Sequence, residues 1–208
     1  MGRGDDLSAA ARHVDVVVIA TPDAAIAAVA AAIEPGEAVI VHLAGCHGLD
    51  VLAPHTRRAA LHPLRSIATP DTSLRGAWFA IAGDPVAEAM VAALDGTFVR
   101  VADVDRPAYH AAACIASNHL VALLGQAERV AAGVGVPLAA YLDLVRATVD
   151  NVTRLGPAAA LTGPVARGDW ETVERHRAAL APEELAPYDA MAEASRRLLE
   201  SGAELESG

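Results

Sequence analysis

Three groups in this chain have the type and setting to do chemistry: a guanidinium ahead of a helix, an amide inside an apolar helix, and an imidazole before a proline. The stretch Leu161-Thr162-Gly163-Pro164-Val165-Ala166-Arg167-Gly168-Asp169 interrupts an Ala-rich helical second half with turn residues. It leaves Arg167 just before a helix capped by Asp169. An Arg beside free helix N–H groups makes a site for a carboxylate or phosphate. Gly163, Pro164 and Gly168 equally suit a tight bend in which Arg167 merely pairs with an acidic neighbour, so both readings stand. Asn118 lies between Ser117 and His119 in apolar helical sequence. An amide there is disfavoured unless it bonds something, either a ligand or a neighbouring helix or loop. Asn151, the other asparagine, falls on the next helix and could face the same cleft. His62 precedes Pro63 at a strand end, and taken alone it is a strand terminus whose turn Pro63 sets.

The remaining composition narrows the chemistry. All sixteen basic residues are Arg, and there is no Lys. A Schiff base, a phosphate-loop Lys and a Lys general acid are therefore excluded. A proton donor must be His, Tyr, Cys, a carboxyl group or water. Cys46 and His47 are adjacent in a loop, an arrangement that rarely aims both groups at one reacting atom. Tyr109, His110 and Cys114 read as packing or surface residues at the start of a helix. HExxH, CxxC and GxSxG spacings do not occur, and no metal is expected. A net charge of −10 argues against nucleic acid and anionic membrane surfaces. Two cysteines are too few for a disulfide framework. Val14–Ala20 is too short and too acidic in its flank for a signal peptide, and Ala24–Ile33 is about half of the ~20 residues a bilayer span needs. A cytoplasmic protein is expected.

The elements that must position these groups follow from periodicity. Val14–Ala20 is β-branched and nearly unbroken, the pattern of a strand buried on both faces of a parallel sheet. Thr21-Pro22-Asp23 starts a helix to about Ile33, and Ala38–His42 is the next strand, completing a βαβ unit. Leu43–Gly48 forms a loop, Leu49–Leu52 a short helix, and Ala59–His62 a strand. Ala77–Ala82 and Thr97–Val101 are further strands around a helix at Val86–Leu94. Ligands of open α/β sheets bind outside the carboxyl ends of strands, which selects the loops Thr21–Asp23, Leu43–Gly48 and His62–Ser66. Asp5–His13 is expected to be helical. With Asp105 as cap and Pro107 in its first turn, a long helix should run to about Ala132. Others should span Pro137 to about Arg154, Asp169 to about Leu180, and Pro182 to about Leu199, with Ser201–Gly208 frayed. The division is an α/β part over residues 1–103 and an all-α part over 104–208.

Read together, Leu161–Asp169, His62-Pro63-Leu64 and Ser117-Asn118 resemble bacterial proteins that join a Rossmann-like NADP-binding domain to the helical "domain of unknown function 2520". These are similar in architecture to ketopantoate reductase, pyrroline-5-carboxylate reductase and 6-phosphogluconate dehydrogenase. The resemblance runs from about Asp15 to about Leu199. It implies a partial Rossmann-like parallel sheet followed by a helical domain of the 6-phosphogluconate-dehydrogenase-like type. It also implies an NADP-dependent oxidoreductase for a small, anionic oxo or imino acid, dimeric through its helices. In that reading Asn118 and His62 are catalytic, while Thr21, Pro22, His42, Ala44 and Gly45 line the cofactor. Asn151 and Arg167 hold the substrate. The departure is at the front: Asp15–Asp23 resembles the family's fourth strand, and no strand with a Gly-rich turn precedes Val14. Met1-Gly2-Arg3-Gly4 has no strand before it. A late start or a shortened form is expected, with weak NADPH binding by these 208 residues. The competing reading is a non-catalytic ligand-binding or dimeric interaction protein without the dinucleotide site.

Overall fold

The computed structural model describes residues 4–206; Met1–Arg3 and residues 207–208 lie outside the described residues. The chain divides into two compact units, Met1–His119 and Leu120–Gly208.

The first unit is built on a five-stranded, mostly parallel sheet in sequential order: β1 (Val16–Ile19), β2 (Val39–His42), β3 (Arg58–Pro63), β4 (Trp78–Gly83) and β5 (Thr97–Arg100). Two parallel registers fix its first half, Ile19 opposite His42 and His42 opposite Ala60. Residues of β2 alternate between faces as a strand must. Val39 and Val41 join Leu61, Phe79 and Ile81 beneath helix α2 (Val86–Ala93), while Ile40 joins Ile19, Ile26 and Leu52 around helix α1 (Ile26–Ala32).

Sequence expectation and structure part company in several places. The strand buried on both faces is β2, whose four residues are all buried. The Val14–Ala20 run yields only four paired residues at a sheet edge, with Val14 46% and Val18 43% exposed. β3 and β4 are antiparallel, because residues 64–77 contain no helix to carry a crossover and Leu64 N–H donates straight back to the Trp78 carbonyl. Asp5–His13 forms turns rather than a helix. Nine residues are too few to hold a helix unaided.

The long helix after the sheet exists, but as α3 (Arg106–Cys114), a π-helical turn (Ile115–His119) and α4 (Leu120–Ala132). Asp105 makes no capping bond. The residue with that kind of job is Asp103, whose carboxylate accepts the Leu49 N–H at 2.9 Å. In the second unit, α5 (Leu138–Leu155), α6 (Pro157–Ala160), α7 (Trp170–Ala179) and α8 (Pro182–Glu206) follow α4. Asp169 caps α7 as expected, accepting the Thr172 N–H at 3.1 Å. Far from fraying at Ser201, α8 continues to Glu206, with Arg196 pairing to Glu193 and Glu200 along its surface. No helix among the described residues is long and apolar enough to cross a membrane.

Candidate functional site

The carboxyl ends of β1, β2 and β3 lie side by side, and the loop after β2 is held there by three separate grips. His42, the last residue of β2, is fully buried. Its Nδ1 accepts the Ala44 N–H at 3.2 Å, which leaves Nε2 to donate to the Gly48 carbonyl at 3.2 Å. Burial first, then the nearby Arg106 charge, lowers its pKa to about 4, so the ring is neutral near pH 7. Arg106 on α3 donates from Nη1 to the Ala44 carbonyl at 3.4 Å. Asp103 holds the far end of the loop through Leu49. Gly48 packs so closely on Asp103 that an added Cβ would meet Cγ at 2.7 Å.

On this platform β3 and α3 bring three aromatic side chains together. His62 Nδ1 and Tyr109 Oη are 2.6 Å apart, and the His62 ring makes edge contacts with both Tyr109 and His110. Gly45 lies directly beneath, where a Cβ would stand 2.4 Å from His110 Cδ2 and 3.0 Å from His62 Nε2. Cys114, one turn along α3, has its Sγ 4.0 Å from His110 Nε2. Burial lowers the His62 pKa to about 4, with the His110 and Arg106 charges adding to it and Asp23 opposing. Burial also raises the Tyr109 pKa, against a lowering pull from Arg106. A neutral imidazole hydrogen-bonded to a phenol, dry on one side and beside a permanent cation, can pass or hold a proton.

Arg106 is 0% exposed, yet its Nε and Nη2 have no hydrogen-bond partner among the described residues. An ion pair from Nε to Asp103 at 3.7 Å compensates part of its charge. Each orphaned donor costs on the order of 1–3 kcal/mol. Thr21 Oγ1, just past the end of β1, is likewise buried without a hydrogen-bond partner among the described residues. Pro22 is exposed.

The other residues singled out from the sequence sit differently. Asn118 falls within the π-helical turn, is exposed, and bonds neither a neighbouring helix nor a loop among the described residues. Asn151 is exposed on α5, its Oδ1 accepting from Arg154 Nη2 at 2.8 Å. Arg167 ends the 3-10 turn Val165–Arg167, exposed and in no ion pair among the described residues, while Gly163 and Gly168 take the positive φ values of 100° and 68° that shape the bend. So the structure gathers His42, Ala44, Gly45 and His62 at one place in the first unit, with Thr21 one strand over. Sequence reasoning missed Tyr109, His110 and Arg106. One signal was available for Arg106: a cation in the first turn of a helix opposes the helix dipole and needs another reason to be there.

Residues 78–195 match the family model described as "Domain of unknown function (DUF2520)". The chain belongs to that family. Among solved structures, protein TM1727 from Thermotoga maritima is 28% identical with a TM-score of 0.75, over 90% of this chain and 78% of its own. The putative NADP oxidoreductase BF3122 from Bacteroides fragilis is 21% identical with a TM-score of 0.78, over 92% and 79%. Pyrroline carboxylate reductase from Plasmodium falciparum, solved with NADP bound, is 12% identical with a TM-score of 0.61, over 94% and 81%. No curated protein matches. For this family member the fold is thus a Rossmann-like part followed by a helical region, the architecture of NADP-binding reductases.

Proposed function

We propose that this chain is an NADP-dependent oxidoreductase that reduces a small oxo or imino acid, with Tyr109 and His62 handling the proton. The observation that carries the reading is the 2.6 Å Tyr109–His62 contact at the carboxyl end of β3. The residues around it suit the nicotinamide side of a dinucleotide. Gly45 offers bare backbone where no Cβ fits, and Thr21 Oγ1 is a buried hydroxyl in need of a partner. Among the described residues no strand leads through a Gly-rich turn into a helix ahead of β1, so the pyrophosphate side is not supplied by residues 4–15.

When bound, NADPH would supply the hydride to the carbon of a C=O or C=N group. The protein's part is the proton. With its hydrogen on Nδ1, neutral His62 donates to the Tyr109 oxygen and leaves the phenolic O–H free for the substrate's oxygen or nitrogen. As that proton leaves, the His62 N–H and the Arg106 charge stabilise the phenolate. His42 holds the loop on which this rests. Asn118, with no hydrogen-bond partner among the described residues, would donate to the same substrate atom. Within the second unit, Arg167 beside a helix start and Asn151 on a helix surface are exposed groups of the kind that bind a carboxylate.

We also propose that the protein is a homodimer through its helices. None of the eighteen residues of α5 is buried, and Leu144, Val149 and Leu155 are 63%, 51% and 46% exposed. Such an apolar surface on a helix marks a protein contact. Light scattering at micromolar concentration should return twice the 21.3 kDa chain mass; a monomer would refute the contact.

The deciding assay follows NADPH consumption with a panel of 2-oxo acids and cyclic imines. Tyr109→Phe should lower turnover by about 10²-fold or more while NADPH affinity and melting temperature hold. Equal turnover by wild type and variant removes Tyr109 from the mechanism. No NADPH binding and no turnover anywhere in the panel would favour a non-catalytic binding module.

A further inference from the structure

Arg106 is the largest fully buried side chain among the described residues, and it stands one helical turn before Tyr109. Buried guanidinium groups ordinarily place their rigid fork of donors on fixed acceptors. Here Nη1 reaches Ala44 O at 3.4 Å, Nε lies 3.7 Å from Asp103 Oδ1, and Nη2 has no hydrogen-bond partner. A residue kept only to tie a loop down would find partners for its donors, since buried polar groups in native proteins nearly always do. What this arrangement supplies in full is a permanent positive charge at a fixed place.

Its surroundings define what that charge acts on. His62 and Tyr109 feel it directly, as does His42. The other charged or titratable groups facing them are His110 on α3, Asp23 after β1, His47 in the β2 loop and Asp103. Of these only Arg106 is a cation at every working pH. Asp103 is tied at once to Arg106 and to the Leu49 N–H, so the loop's far end depends on the same ion pair.

We infer that Arg106 is a positioning residue: through Asp103 and Ala44 it fixes the Leu43–Gly48 loop beneath His62, and it sets a permanent positive charge beside the Tyr109–His62 pair. The inference rests on the reading of that pair as the proton-handling group. It assigns the residue that offsets part of the rise in proton affinity that burial imposes on the phenol.

The test uses the whole chain without cofactor or substrate and compares wild type, Arg106→Gln and Arg106→Lys. Gln keeps a donor for Ala44 but no charge; Lys keeps the charge. Tyrosinate absorbance is titrated, with Tyr109→Phe subtracted to isolate Tyr109 from Tyr141 and Tyr188. Arg106→Gln should move the Tyr109 midpoint up by about one pH unit, while Arg106→Lys stays within a few tenths of wild type. Amide hydrogen exchange at Leu49 should quicken about tenfold in the Gln variant, because Asp103 loses its counter-charge, and recover with Lys. A Gln variant that titrates and exchanges like wild type overturns the inference, as does a Lys variant that rescues neither. If Arg106→Gln does not fold, Arg106→Lys decides alone: a displaced Tyr109 midpoint there is fatal. Because neither readout needs turnover, this inference can fail while the reductase reading stands, and the reverse.

Discussion

The polar groups at the end of the sheet and two on the helical half of the same chain, Asn151 and Arg167, are built in opposite ways. His62 meets Tyr109 across 47 residues of sequence, and Arg106 meets Ala44 across 62. Each is partly or fully buried, and Arg106 bears on the proton affinity of both His62 and Tyr109. Asn151, by contrast, bonds Arg154 three residues away on its own exposed helix surface, and Arg167 points from a turn with no ion pair among the described residues. The difference teaches where each kind of work is possible. Holding an imidazole neutral well below its usual pKa needs low dielectric and fixed neighbours, which the sheet end provides for His42 and His62. Exposed groups such as Asn151 and Arg167 are suited to picking up a charged group from solvent.

The sharpest way to break this contrast is acid. His42 and His62 both have folded pKa values near 4, below the 6.5 of an ordinary imidazole. Above pH 6.5 folded and unfolded chains are both neutral at these rings, and their contribution is complete. Between 6.5 and about 4 the unfolded chain takes up protons that the folded one refuses, so stability falls; below that the dependence levels off. Each ring should account for on the order of 2 kcal/mol between pH 7.5 and pH 5. Urea midpoints at pH 7.5 and pH 5 measure it, and the His42→Gln, His62→Gln double variant should flatten the slope. Equal midpoints for the wild-type chain at the two pH values would mean the cluster is wetter than its burial indicates.

A smaller effect tests how tightly the same cluster is packed. Gly45→Ala pushes a methyl against His110 and His62, and should cost about 1–3 kcal/mol as an overpacked site does. The His62–Tyr109 contact should loosen with it, visible as a shifted His62 ring resonance. A stable variant with an unshifted ring would show that the loop can give way without the pair noticing.

The smallest effects are expected on the helices. Asn118→Ala and Asn151→Ala remove exposed amides and should change stability by no more than about 0.5 kcal/mol. Losses several times larger in a chemical melt would show that one of these residues is structural, and the contrast would need redrawing.

How much of this could be read from the sequence depends on how local each feature is. β2, β3 and the Asp169 cap were legible because a β-branched run, an apolar strand before Pro63 and an Asp before a helix are signals carried by a few neighbours. β1 misled because its apolar run is the same whether a strand lies in the middle of a sheet or at its edge. The reversal between β3 and β4 is a pairing choice made by residues far apart. His62 was found as a residue at a strand end, yet its partners Tyr109 and His110 looked like any first-turn helix residues. Only the absence of Lys pointed toward them, by leaving Tyr, His and Cys as the side chains besides carboxyl groups able to give a proton. Asn118 was noticed for being awkward inside a helix, and the awkwardness coincides with a π-helical turn, a feature often found at functional sites.

The antiparallel pairing of β3 and β4 also sets the direction of travel of everything after it. Because β5 runs with β4, the chain leaves the sheet at the edge where β3 begins, and must climb to reach the edge where β3 stops. Its contacts arrive in that sequence: Asp103 at Leu49, Arg106 at Ala44, then Tyr109 at His62. The helix is therefore moored before it is armed. Any change that lets its first turn slip displaces the phenol by leverage, even though nothing near the phenol has been altered.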